Sequence, residues 1–155
     1  MRITNTIVSL LGEGITPRKI SLSMTLGIVI GIFPVIGLPA IICFIIAALW
    51  RLNHAIIQIF NWLVYPLQLI LIIPLFRLGN IIFRDTPLTV ALDNMLASYK
   101  SDFWGTMGSL ADITLHAIVA WGLACIIVGP VIYGVSLPFV KKLQPKMSKY
   151  LSPGV

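Results

Sequence analysis

The residues able to do chemistry in this chain are few and scattered. His54 and His116 fall on different segments with no second His, Asp or Glu at ligand spacing, so neither begins a zinc site. Cys43 and Cys125 each lie inside an apolar run without a Cys or His beside them, and read as small buried hydrophobes rather than metal or redox groups. Ser21, Ser23 and Thr25 stand close together, but a serine nucleophile needs a base and a group to orient that base, and neither is near in sequence. These hydroxyls are expected to hydrogen-bond helix backbone or a neighbouring helix instead. No acid lies inside an apolar stretch, which argues against a carboxylate proton relay and a two-carboxylate hydrolase. No constellation prescribes a reaction, a metal or a cofactor, and the chain is read as non-enzymatic.

Two other groups could bind rather than react. Arg18, Lys19 and Arg51 flank a long uncharged run and together would suit an anionic head group. Pro34, Gly37, Pro39, Asn61, Pro66 and Gln68 interrupt apolar stretches, and helices broken inside a membrane beside carboxamides are what transporters use to build midplane sites. The same residues also read as hinges and packing positions with ordinary cytoplasmic anchors. Both readings stand at this point.

The elements that must position them follow from composition. Of 155 residues, 58% are hydrophobic and 10% charged, where a soluble domain carries about 45–50% and 25%. The formal charge is +6, yet the cations sit at the ends of apolar runs rather than on one patch, so nucleic acid is not an expected partner. Their placement, with Lys141, Lys142, Lys146 and Lys149 in the tail, is how membrane proteins mark their cytoplasmic side. The polar residues after Met1 and Arg2 do not read as a signal peptide, so no cleavage is expected and the first membrane segment is expected to direct insertion.

Along the chain, Ile3, Ile7, Leu10 and Leu11 predict a surface helix over 2–12, and Thr16-Pro17 predicts a helix start. The run 20–50 is broken at 33–39, and each arm reaches only about 16–21 Å at 1.5 Å per residue, short of the roughly 30 Å hydrocarbon core. It is read as a helical hairpin that dips into the bilayer and returns. Gly27 and Gly31, four apart, would let another helix approach closely. Segment 52–76 is long enough to cross once, or to form a second dip broken at Pro66. Asp85, Asp93, Asp102 and Asp112 fall in the segment 77–112, within which an amphipathic helix is expected over 86–104, outside, with Trp104 anchoring its end. Segment 113–140 would span with a kink at Gly129-Pro130, and 141–155 is a basic tail. The expected fold is an all-α integral membrane protein: an in-membrane helical hairpin, two transmembrane helices and interfacial amphipathic helices, both termini cytoplasmic. So few short segments enclose little volume, which favours a homo-oligomer over a monomeric channel.

The stretch Thr16-Pro17-Arg18-Lys19-Ile20, Gly27 through Phe33-Pro34, Gly37, Leu49-Trp50-Arg51-Leu52-Asn53, and Trp62 through Pro66-Leu67 to Arg77-Leu78-Gly79 resembles a bacterial family catalogued as domain of unknown function 2062. Where that family usually has Asn-Pro-Leu-Thr, this chain has Tyr65-Pro66-Leu67-Gln68. The resemblance implies an integral protein of the bacterial cytoplasmic membrane, in a family sometimes joined to glycosyltransferase domains, and no established activity. Two functions are therefore expected to compete: transport or handling of an anionic lipid or small amphiphile such as a polyprenyl phosphate, or a non-catalytic scaffold that recruits an envelope glycosyltransferase through the external helix.

Overall fold

A computed structural model describes residues 16–151 apart from 86 and 99, with side chains described as far as 143. The expected surface helix over 2–12 and the last residues of the basic tail lie outside the described residues. Among the described residues there are six α-helices and no strand.

Local chemistry sets the boundaries. Helix α1 (Pro17–Gly31) starts where Thr16 Oγ1 accepts the Lys19 N–H at 3.4 Å and Pro17 takes the first helical position, where its missing donor is not needed. It stops short of Pro34. Helix α2 (Leu38–Leu49) follows Gly37, whose φ of +89° favours a residue without Cβ, and carries Pro39 in its first turn. It ends in a Schellman motif: the Leu52 N–H donates to Ala47 O at 2.9 Å and the Arg51 N–H to Ala48 O at 3.4 Å, with Arg51 at φ +51°. Asn53 Oδ1 accepts the Ile56 N–H at 2.9 Å and caps α3 (His54–Leu63). Helix α4 (Tyr65–Ile82) ends as α2 does, with Arg84 at φ +54° and the Asp85 N–H donating to Asn80 O at 2.9 Å. Helices α5 (Leu88–Ser98) and α6 (Phe103–Leu151) complete the chain.

Three boundaries differ from the expected ones. The segment expected at 52–76 is two helices that meet at Val64 and run on to Ile82. Pro66 supplies no N–H to Trp62 O, so the first helix closes and a second begins. The amphipathic helix expected over 86–104 stops at Ser98, and Phe103 and Trp104 open α6 instead. Asp102 makes that division: its Oδ1 accepts the Gly105 N–H at 2.9 Å, an N-cap bond that starts a new helix. Finally, 113–140 is the middle of α6, which passes through Gly129-Pro130 without ending and takes in the start of the basic tail.

Helix α1 is enclosed. Leu22, Leu26 and Ile30 meet Cys43, Ala47, Leu52 and Ile57 of α2 and its surroundings. Gly27 and Gly31 meet α3, as their spacing predicts: a Cβ on Gly27 would stand 2.5 Å from Ile57 O, and one on Gly31 would strike Val64 Cγ2. The third side of α1 packs on α6, which also carries α4. There the close approach is Gly79, where a Cβ would lie 2.5 Å from the His116 carbonyl carbon.

The surface inverts the usual pattern. Phe44, Trp62, Ile70 and Ile127 are 60–71% exposed, whereas Ser21, Ser23, Gln68 and Asn80 are at most 3% exposed. Two helices, Tyr65–Ile82 and the Phe103–Leu143 stretch of α6, are long and apolar enough to cross a membrane.

Candidate functional site

Pro34 creates the central feature. An α-helix continuing to it would pair Ile30 O with the N–H of residue 34, which proline lacks. Ile30 O accepts the Phe33 N–H instead, at 2.9 Å. That leaves Val29 O without its helical donor, and Trp121 Nε1 of α6 donates to it at 3.0 Å. The buried carbonyl Phe33 O, just before the proline, accepts from Gln68 Nε2 of α4 at 2.7 Å. The Phe33 ring also meets the Trp121 indole edge-on, centroids 5.0 Å apart. A buried carbonyl left unpaired costs about 1–3 kcal/mol. Side chains from both long helices thus close the gap that the proline opens.

A second amide pair holds the descending arm. Gln58 Nε2 donates to Ala40 O at 2.9 Å, and Asn61 Nδ2 donates to Gln58 Oε1 at 3.4 Å. Asn61 lies beside Gly31, in the seam that the glycine keeps open. At the other end of the hairpin, Lys19 Nζ donates to Arg51 O at 3.3 Å, and the Ser23 hydroxyl donates to Lys19 O at 2.8 Å. Arg18, Lys19 and Arg51 are exposed.

The nine residues singled out in the sequence therefore fall into two groups. Lys19 and Arg51 meet at the base of the hairpin, where Arg18 occupies the neighbouring position on α1. Pro34, Gly37 and Pro39 form the tip, with Gln68 bonded to it, Pro66 in the turn before, and Asn61 on the adjoining end of α3. Of the three hydroxyls expected to find backbone or neighbouring-helix partners, Ser23 bonds helix backbone, whereas Ser21 Oγ and Thr25 Oγ1 are buried with no hydrogen-bond partner among the described residues.

Sequence reading missed Trp121, although a tryptophan within an apolar run always poses the question of where its N–H goes. It also missed a second cluster at the far end of α4. His116 Nδ1 is 3.6 Å from Asp85 Oδ2, and the Phe83 ring stacks on the imidazole, centroids 4.2 Å apart. Beside it a pocket of about 440 Å³ is lined by Asp85, Asn94, Ser98, Asp102, Ser109 and Asp112, among others. Among the described residues, no three His, Cys, Asp or Glu side chains come together as metal ligands.

Residues 2–149 match the model of a family described as an uncharacterized protein conserved in bacteria, domain of unknown function 2062. Neither the curated proteins nor the solved structures contain a match to this chain.

Proposed function

The chain belongs to that bacterial family, and from this premise we propose that it is a multi-pass protein of the cytoplasmic membrane that transports or handles an anionic lipid or small amphiphile without catalysing a reaction. The observation that carries the reading is the joint between hairpin tip and broken helix: Gln68, 1% exposed, bonded to Phe33 O at the place where α3 gives way to α4.

Helix α6 serves as a ruler for that joint. Its apolar stretch begins after Asp112, and Trp121, bonded to Val29 O and packed against the Phe33 ring that enters the tip, lies nine residues further on, which is about 14 Å at 1.5 Å per residue. Against a hydrocarbon core of roughly 30 Å, the tip sits close to the midplane. Helices α1 and α3 run parallel, since Gly27 faces Ile57 and Gly31 faces Asn61 and Val64. Beyond Val64, α4 continues past the tip toward His116. In this placement α3 and α4 form one crossing broken at mid-membrane, the hairpin enters from the cytoplasmic side, and α6 crosses back. The exposed aliphatic and aromatic surface supports an apolar solvent around all of it.

Broken helices at the midplane free backbone groups that a substrate or ion can use, and here two side chains hold those groups closed. Substrates with an anionic head would enter beside Arg18, Lys19 and Arg51. Polyprenyl phosphate fits that description, and a homo-oligomer would supply the volume that four short segments lack. A scaffold function has one observation in its favour: α5 buries only Ala91 and leaves Val90, Leu92 and Leu96 exposed, a face on which an envelope glycosyltransferase could dock.

Cysteine labelling at the tip tests the pathway. Ile36 is 57% exposed, so Ile36→Cys in a Cys43→Ser, Cys125→Ser background should react with a membrane-impermeant thiol reagent applied from one side. Protection from both sides would remove the pathway and move the scaffold forward. Replacing Arg51 and Gln68 by Ala should reduce translocation of a labelled anionic lipid in vesicles. Unchanged rates would count against transport.

A further inference from the structure

Resting on the placement of the hairpin base at the cytoplasmic face, we propose that Arg51 and Lys19 form a binding site for a phosphate group, supplied by the head group of an anionic lipid. The backbone carries the first part of the argument. Arg51 occupies the left-handed position of a Schellman motif, at φ +51°, where glycine fits without strain. Its guanidinium has no ion pair among the described residues, so a forked set of N–H donors suited to phosphate oxygens stands open.

The surroundings supply the rest. Lys19 spends one ammonium hydrogen on Arg51 O and keeps the others, and that bond draws its charge to the same corner. Asn53, two residues after Arg51, caps α3, and the positive end of that helix starts at His54. Trp50, 56% exposed, precedes Arg51 and suits the head-group layer. The acids among the described residues, Asp85, Asp93, Asp102 and Asp112, all lie beyond the other end of α4, so none competes for these cations. Arg84 gives an internal control: its backbone adopts the same state, φ +54°, yet it sits beside Asp85 among the acids.

Thermal unfolding of the full chain in neutral detergent tests the site, with phosphatidic acid, phosphatidylcholine or inorganic phosphate added. Phosphatidic acid should raise the midpoint by roughly 5 °C near saturation, and phosphatidylcholine should not. A shift with inorganic phosphate alone would assign the same site to free phosphate; its absence assigns it to the lipid. Arg51→Gly relieves the backbone, so the variant should unfold no earlier than wild type and should lose the phosphatidic acid shift. Arg84→Gly should keep it. Equal shifts with both lipids, or a shift intact in Arg51→Gly, would overturn the site. Because detergent offers no bilayer to cross, that failure leaves transport to the labelling experiment. A site that survives while Ile36→Cys stays protected would be a lipid anchor without a pathway.

Discussion

The hairpin end of the molecule and the α5 end use polar side chains in opposite ways. Around the hairpin, Gln68, Gln58 and Trp121 reach across helix boundaries to backbone carbonyls, and α1 is enclosed by α2, α3 and α6. At the α5 end, Asp102 caps its own helix, Ser101 and Thr106 bond within a turn, and α5 buries one alanine. Long-range bonds tie separate segments into one unit, whereas local bonds hold a turn and leave its neighbours free. The difference predicts that the hairpin end unfolds with the whole molecule and that the α5 end can open alone.

The largest effects should come from the glycines that let helices touch. Gly27→Val and Gly79→Val place branched side chains where even a Cβ would stand 2.5 Å from backbone atoms of the facing helix. Each should cost at least the 1–3 kcal/mol or so typical of overpacking, read as a drop in the unfolding midpoint in detergent. Gly122→Val, where nothing lies within 4 Å of the Cβ position, should leave the midpoint in place. Next comes Gln68→Leu, which keeps the volume roughly constant and removes the donor to Phe33 O; its expected cost is about 1–3 kcal/mol. Trp121→Phe keeps a ring against Phe33 but loses the N–H to Val29 O and part of the indole's volume, so it should cost a similar amount, about 1–3 kcal/mol. If Gln68→Leu proved neutral, Phe33 O would have another donor and the tip would not depend on α4.

Much of this arrangement was legible from residue types and spacing. Thr16-Pro17, the Gly27 and Gly31 pair, and the prolines at 34 and 39 each act within a few residues, so their consequences can be read locally. The break at Pro66 was visible as an alternative, but its outcome depended on whether α4 folds back or runs on. That is set by contacts with α6, far along the chain. The grouping of Lys19 with Arg51 was likewise foreseeable, because a hairpin brings its two ends together. Trp121 could not be paired with Val29, since which carbonyl is orphaned depends on how α1 tightens before Pro34. The division of 86–104 into two helices was missed because hydrophobic periodicity runs through Asp102, and the cap that resets the helix is a single hydrogen bond.

That cap provides the smallest and most selective test. Asp102→Ala removes the acceptor for the Gly105 N–H, and loss of an N-cap typically costs about 1 kcal/mol. The side-chain bonds of Ser101, Asp102 and Thr106 at the α5 end are all to residues within four positions, so the cost should stay there. Hydrogen exchange at the first amides of α6 should then speed up by roughly fivefold, the factor that 1 kcal/mol represents, with the unfolding midpoint unmoved. A fall in the midpoint comparable to that of Gln68→Leu would mean that the two ends unfold as one. In that case the pocket beside Asp85 and Asp112 belongs to the same cooperative unit as the hairpin, and the hairpin's long-range ties do not mark the limit of that unit.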